Sequence, residues 1–152
     1  MNIRKYRHED SEEKTEMHLK TIREVNSRDY TEEEVEAWST FDDSQHVSEE
    51  KIERWIAEEE GDIIGFSDYR FDEGTITGVY VHPDYLRRGI GSRLLEKVLQ
   101  DAKNKGLDEL TAEASVTAKE FYQSHGFEVV EETVHETNGE ELQAFKMRKR
   151  LN

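Results

Sequence analysis

Cysteine is absent from the 152 residues, proline occurs once, and no long apolar run is present. Without cysteine, neither a disulfide framework nor a thiolate metal site can form. No stretch is apolar for long enough to span a bilayer. The opening Met-Asn-Ile-Arg-Lys-Tyr-Arg-His lacks the apolar core of a secretion signal, so the expected compartment is the cytoplasm. The six histidines are scattered, with no pair at ligand spacing on one helix, so no metal is expected. No Gly-x-Ser-x-Gly elbow announces a serine nucleophile. Internal repeats, linkers and low-complexity tails are missing too, and residues 1–152 read as a single domain.

Positive charge is also scarce. Against 36 acidic residues stand 21 lysines and arginines, for a net charge of −15. Such a surface repels nucleic acid and anionic membranes and favours cationic partners, so neither nucleic acid nor membrane is an expected partner. Simple solubility, or a high-salt source, explains the same composition.

One stretch runs against this background. Gly78 to Arg93 begins with Val79, Tyr80 and Val81, a short apolar run that reads as a strand. His82-Pro83-Asp84 ends it, because proline removes an amide donor and restricts the residue before it. Arg87, Arg88, Gly89, Ile90, Gly91 and Ser92 then lead into a helix with Leu94, Leu95, Val98, Leu99 and Ala102 on one face. A strand, loop and helix in that order present free amides at a helix N-terminus. Two glycines allow close approach and two arginines flank them, which suits a phosphate or pyrophosphate. The lysine and hydroxyl of a Gly-x-x-x-x-Gly-Lys-Ser loop are missing. Leu94 stands where a dinucleotide fingerprint needs its third glycine.

About thirty residues on comes Ala118-Lys-Glu-Phe121-Tyr122-Gln-Ser-His125-Gly126-Phe127. Together the two segments resemble the GNAT superfamily of acetyl-CoA-dependent N-acetyltransferases. The first is similar to that family's Gln/Arg-x-x-Gly-x-Gly/Ala pyrophosphate loop, with Leu86 in place of the initial Gln or Arg. The second is similar to its Ala-x-x-Phe-Tyr-x-x-x-Gly-Phe element. Val25-Asn-Ser-Arg-Asp29-Tyr30-Thr31, followed by Ala37-Trp38, resembles an uncharacterised bacterial and archaeal branch.

The rest of the chain reads as alternating elements. Residues 2–7 form a first strand. Asp10 or Ser11 caps a helix carrying Met17, Leu19, Ile22 and Val25. Thr31-Glu-Glu-Glu34 is a capping box that opens a short helix with Val35 and Trp38. Phe41 to Glu50 is polar and reads as a loop. Strands follow at 52–59, 63–71 and 75–82, joined by short turns at Glu60-Gly61-Asp62 and Asp72-Glu73-Gly74 as an antiparallel meander. The helix from Gly91 to Lys105 ends at Gly106. A strand at 110–114 is expected parallel to Val79–Val81. A helix at 117–125 and strands at 127–133 and 142–147 around Asn138-Gly139 complete the chain.

This order fits the fold that the resemblance implies. That fold is α/β (α+β), with a mixed, mostly antiparallel sheet of about seven strands and about four helices. Its central parallel strand pair splays, and the pantetheine arm lies in the gap. The resemblance implies transfer of an acetyl group from acetyl-CoA, a co-substrate, to a small-molecule or protein primary amine. The alternative is a CoA-binding sensor or partner module without turnover. A monomer or homodimer is expected.

Acetyl transfer requires a polarised thioester, a deprotonated amine, a stabilised oxyanion and a protonated leaving thiolate. Backbone groups of Val79, Tyr80 and Val81 are expected on the pantetheine and acetyl. Arg87, Arg88, Gly89, Ile90, Gly91 and Ser92 are expected on the pyrophosphate, with Thr117 and Tyr122 also touching the cofactor. Tyr122 is the candidate general acid, because a phenol with a reference pKa near 10 can hand a proton to a thiolate. Glu113 is the first candidate base, with Asp68, His82 or an ordered water as alternatives. Tyr30, Trp38 and Asp68 are expected around the acceptor, where an aromatic wall and carboxylates suit a cation. Asp29 lies in the same segment.

Overall fold

Short turns build the first half of the sheet. In the computed structural model, which describes residues 1–39 and 49–151, β1 (Asn2–Lys5) pairs antiparallel with β2 (Ile52–Glu59). β2 turns through Glu60 and Gly61 into β3 (Asp62–Arg70), and β3 through residues 71–74 into β4 (Thr75–Val81). Glu60 and Gly61 take φ of 53° and 86°, the backbone of a tight hairpin turn. The expected meander is therefore present. Of the expected loop from Phe41 to Glu50, residues 41–48 lie outside the described residues, and Glu49–Lys51 form one 3-10 turn.

Between β1 and β2 come α1 (Ser11–Glu24) and α2 (Glu32–Trp38). The capping box of α2 forms as read. Thr31 Oγ1 accepts from Glu34 N at 3.2 Å, and Glu34 Oε1 accepts from Thr31 N at 2.8 Å. On α1 the buried residues are Met17, Thr21 and Ile22, while Leu19 is only half-buried. The stripe thus runs through His18 and Thr21 rather than Leu19, as the i, i+3, i+4 spacing from Met17 and Ile22 requires.

After β4 come α3 (Ile90–Asn104), β5 (Glu109–Ser115), α4 (Lys119–Ser124), β6 (Glu128–Thr137) and β7 (Glu140–Arg150). The strand order is β1-β2-β3-β4-β5-β7-β6, and β4–β5 is its parallel pair. Four spans differ from expectation, the first being β1, which ends at Lys5 rather than residue 7. α4 is shorter than 117–125. The last two strands are longer than 127–133 and 142–147, because Asn138 and Gly139, at φ 46° and 84°, close a two-residue turn that keeps the flanking charged residues in register.

The sheet buries both faces. Met17 of α1 packs with Ile56, Ile63 and Phe66 on one face. On the other, Ile90 and Leu94 of α3 pack with Ala57 and Ile64, and Leu95, Val98 and Ala102 with Ile76, Leu110 and Ala112. Tyr122 of α4 joins this second cluster. Among the described residues, no helix is long and apolar enough to cross a membrane.

Candidate active site

The parallel ladder is short. β4 and β5 register only Thr75 with Thr111 and Ile76 with Ala112, yet β4 continues to Val81 and β5 to Ser115. Past these two pairs the strands part. The direction of β5 is the one expected, but its partners are Thr75 and Ile76, and Val79–Val81 border the gap. Two features hold it open. A bulge between Asp68 and Tyr69 makes Thr77 an extra residue in β4, and its hydroxyl donates to Asp68 O at 3.2 Å. The Tyr30 hydroxyl accepts from Val116 N and donates to Gln143 O, both at 2.8 Å, so the end of β5 is tied to Tyr30 and β7.

The gap exposes useful backbone. His82 N donates to Ile64 O at 2.8 Å, which places the amide of residue 82 on the β3 side. Strand alternation then turns the amides of Val79 and Val81 toward the gap. Val81 O accepts from Thr21 Oγ1 at 3.0 Å, so α1 anchors this edge. The Val79 amide and carbonyl face the opening between the strands.

At one end of the gap stands the N-terminus of α3. Gly89 is its N-cap in the left-handed conformation, φ 77°, and among the described residues no side chain caps the helix. Arg87, also at positive φ, and Arg88 are exposed beside it. Free amides, the helix dipole and two guanidinium groups therefore meet on one surface. The two glycines serve different ends. A Cβ on Gly89 would meet nothing within 4 Å, whereas one on Gly91 would sit 3.2 Å from Phe121 Cε1. Gly91 thus lets α3 approach α4. Ser92 Oγ lies 2.9 Å from His125 Nε2, a second link between the same two helices.

Tyr122 stands behind the gap on the α3 side, 2% exposed and edge-on to Phe121 and Phe127. Burial, and then the neighbouring Tyr80 phenol, push its pKa well above that of an ordinary tyrosine. The phenol is held protonated, which is the state an acid needs.

On the opposite face the gap opens into a cleft of about 710 Å³. Its aromatic lining is His18, Tyr30, Trp38, Tyr80 and His135. The Tyr80 ring lies over Gly78, where a Cβ would come within 2.5 Å of Cε2. It stacks on Phe66 at 5.3 Å and lies 4.1 Å from the His18 ring. Burial, with help from the Lys14 charge, pushes the His18 imidazole down to about 3, so it is neutral at pH 7. Trp38 meets Tyr30 edge-on at 5.3 Å and forms a wall of the cleft. The carboxylates of Asp68, Glu73 and Glu113 also line it.

The expected site residues fall into three groups. Val79, Val81, the residues from Arg87 to Ser92 and Tyr122 border the gap on the α3 side, whereas the Tyr80 ring turns into the cleft and its backbone faces β3. Tyr30, Trp38, Asp68 and Glu113 line the cleft. Two stand apart. His82 accepts from Asp84 N through Nδ1 at 3.0 Å and lines a separate depression beside Glu13 and Lys20. Thr117 donates to Asp29 Oδ2 at 2.8 Å, so both are engaged in holding the segment before α2. Asp68 pairs with Arg54 at 3.0 Å and with Lys14 at 3.9 Å. Glu113 lies opposite Lys146 in the β5–β7 register. His18 was not foreseen; its place on the Met17–Ile22 stripe was the available signal. Among the described residues, no group of three or more His, Asp or Glu is arranged to hold a metal.

Comparison with known proteins bears on the family and the fold. The family profile of the acetyltransferase (GNAT) domain matches residues 26–151. YafP, an uncharacterised N-acetyltransferase of Escherichia coli K12, is 30% identical over 149 residues, which span 97% of this chain and 95% of YafP. A GCN5-related N-acetyltransferase from Rhodopseudomonas palustris superposes with a TM-score of 0.87 at 29% identity, covering 98% of this chain and 94% of that one. The PaiA N-acetyltransferase from Thermoplasma acidophilum, solved with coenzyme A, shares the fold at a TM-score of 0.75 and 24% identity, with 98% of each chain covered.

Proposed function

Because the chain belongs to the GNAT family of acetyl-CoA-dependent N-acetyltransferases, we propose that it moves the acetyl group directly to a primary amine in the 710 Å³ cleft, with Tyr122 as general acid. One observation carries the reading: the β4–β5 ladder stops after two pairs, between an uncapped, arginine-flanked helix N-terminus and an aromatic cleft.

In this reading the pyrophosphate rests on the amides from Arg87 to Ser92, and the pantetheine arm follows the free edge of Val79–Val81. The Val79 or Val81 amide polarises the thioester carbonyl and holds the oxyanion. The amine nitrogen, in the cleft, attacks the carbonyl carbon. The carbon–sulfur bond breaks, and the Tyr122 phenol gives its proton to the sulfur. The nitrogen loses a proton to Glu113, directly or through water, and solvent restores the Tyr122 proton. Glu113 is favoured over Asp68, whose carboxylate is already paired with Arg54, and over His82, which lies outside the cleft. Tyr30, Trp38 and Asp68 border the acceptor. Glu73 and Glu113 in the lining outnumber Lys146 there, and on a protein of net charge −15 this supports a preference for cationic amines.

The test is a panel of cationic, neutral and anionic amines, read by thiol release and product mass. Acetylated cationic amines are expected, with an advantage that shrinks as salt is added. Thiol release without an acetylated amine, or an advantage for anionic acceptors, would contradict the proposal.

A further inference from the structure

The gap between β4 and β5 is open at one end and closed at the other. Its open end meets the N-terminus of α3. Its closed end is the Ile76–Ala112 pair, the last rung of the parallel ladder. A thioester arm that enters at α3 and follows the free edge of Val79 and Val81 points its acyl group at this closed end. The residues standing there decide which acyl groups fit.

Gly78 and Tyr80 stand there, on the cleft face of β4, opposite Asp68 and Phe66 of β3. A Cβ at residue 78 would lie 2.5 Å from Cε2 of Tyr80 and 3.1 Å from its Cδ2. Those distances are far inside van der Waals contact, so glycine at 78 is what lets the tyrosine ring lie down along the strand. The ring is also held down. Phe66, its cross-strand partner, stacks on it with centroids 5.3 Å apart and planes at 27°. The His18 ring of α1 meets it at 4.1 Å and meets Phe66 edge-on at 5.2 Å, so the three rings touch pairwise. Phe66 is in turn packed against Met17, Ile56 and Ile63. Across the gap, Ala112 and Ala114 of β5 line the same space and belong to the buried core. The end of the acyl path thus has paired backbone ahead of it, core on one side and a fixed aromatic ring on the other.

We propose that Tyr80 sets the length of the acyl group: its ring, laid over Gly78 at the closed end of the gap, admits acetyl and rejects longer acyl chains. This rests on the placement of the thioester in the gap under the acetyl-transfer reading. An acetyl methyl ends against the ring. Each further methylene has to lift Tyr80 off Phe66 and His18 or press into the core at Ala112 and Ala114. One methylene too many in an apolar pocket costs about ten- to 200-fold.

Titration calorimetry with CoA, acetyl-CoA, propionyl-CoA and butyryl-CoA tests this on the full chain, with no acceptor needed. Wild type should bind butyryl-CoA at least about tenfold more weakly than acetyl-CoA, with propionyl-CoA between them. Tyr80→Phe keeps the ring and should keep that ratio. Tyr80→Ala removes the wall and should shrink the ratio by about tenfold. Tyr80→Val, a better strand former, serves the same purpose if the alanine variant does not fold. Equal affinity of wild type for acetyl-CoA and butyryl-CoA would overturn the proposal. So would an unchanged ratio in the folded alanine or valine variant. In both cases CoA itself would still bind, and the cofactor site would stand. Failure of CoA and all three thioesters to bind would overturn the cofactor placement and this proposal with it.

Discussion

Replacing Gly89 tests the anion site without disturbing the fold. Gly91 is the less informative position, since a side chain there would push on Phe121, 3.2 Å away. Gly89 has open space around its missing Cβ and needs only a residue that tolerates φ 77°. Asparagine and aspartate both tolerate it, so their backbone cost is similar and cancels between the two. They differ by one negative charge, placed where the pyrophosphate should rest. At about 5 Å, one charge acting on another is worth roughly 0.8 kcal/mol in water and roughly 3 kcal/mol at an effective dielectric of 20. Gly89→Asp should therefore weaken CoA binding by about four- to 160-fold relative to Gly89→Asn, and added salt should narrow the difference. Titration calorimetry with CoA gives both dissociation constants. Equal affinities for the two variants, both folded, would mean that the phosphates bind elsewhere.

Two further outcomes follow from named contacts. Tyr30→Phe removes the partner of Val116 N and of Gln143 O. It should cost about 1–2 kcal/mol, or roughly 3–6 °C in melting temperature, and lower turnover as the end of β5 is freed; unchanged stability and rate would show that Tyr30 does not hold the gap. His18 titrates near 3 when folded against an ordinary 6.5, so the unfolded chain binds the extra proton between those values and stability falls as pH falls. From pH 7 to pH 5 that loss is about 2 kcal/mol at roughly 1.36 kcal/mol per unit. His18→Phe should remove it, and a denaturation series with the same pH slope in both proteins would contradict the burial of the imidazole.

Much of the fold was readable from local chemistry. The meander declared itself through Glu60-Gly61 and Asp72-Glu73-Gly74, and α2 through the Thr31–Glu34 capping box. The loop and helix start that carry the proposed anion site were readable because two glycines and two arginines sit together in the chain. What escaped depends on distant pairing. The β4 bulge at Thr77 arises from the register against Asp68 and Tyr69, which no run of residues encodes alone. His18 reads as one more polar residue on a charged helix until Phe66 and Tyr80 close over it. The sequence places Tyr30 among the acceptor contacts; it lines the cleft, but its hydroxyl also bonds Val116 and Gln143, more than eighty residues away. The charged stretch from Glu131 to Glu141 hid the length of the last hairpin, because carboxylates on an exposed edge strand are not strand-like in composition.

The proposed acid is where the account stands or falls. Tyr122→Phe keeps the ring against Phe121 and Phe127 and removes only the hydroxyl, so packing should change little. The decisive measurement is the turnover of both proteins on one accepted amine at saturating acetyl-CoA, with CoA affinity and melting temperature taken alongside. Loss of general acid catalysis should lower kcat by about a hundredfold or more, while affinity and melting temperature stay near wild type. A variant that turns over at the wild-type rate would show that Tyr122 is a packing residue and that another group, or water, protonates the departing thiolate.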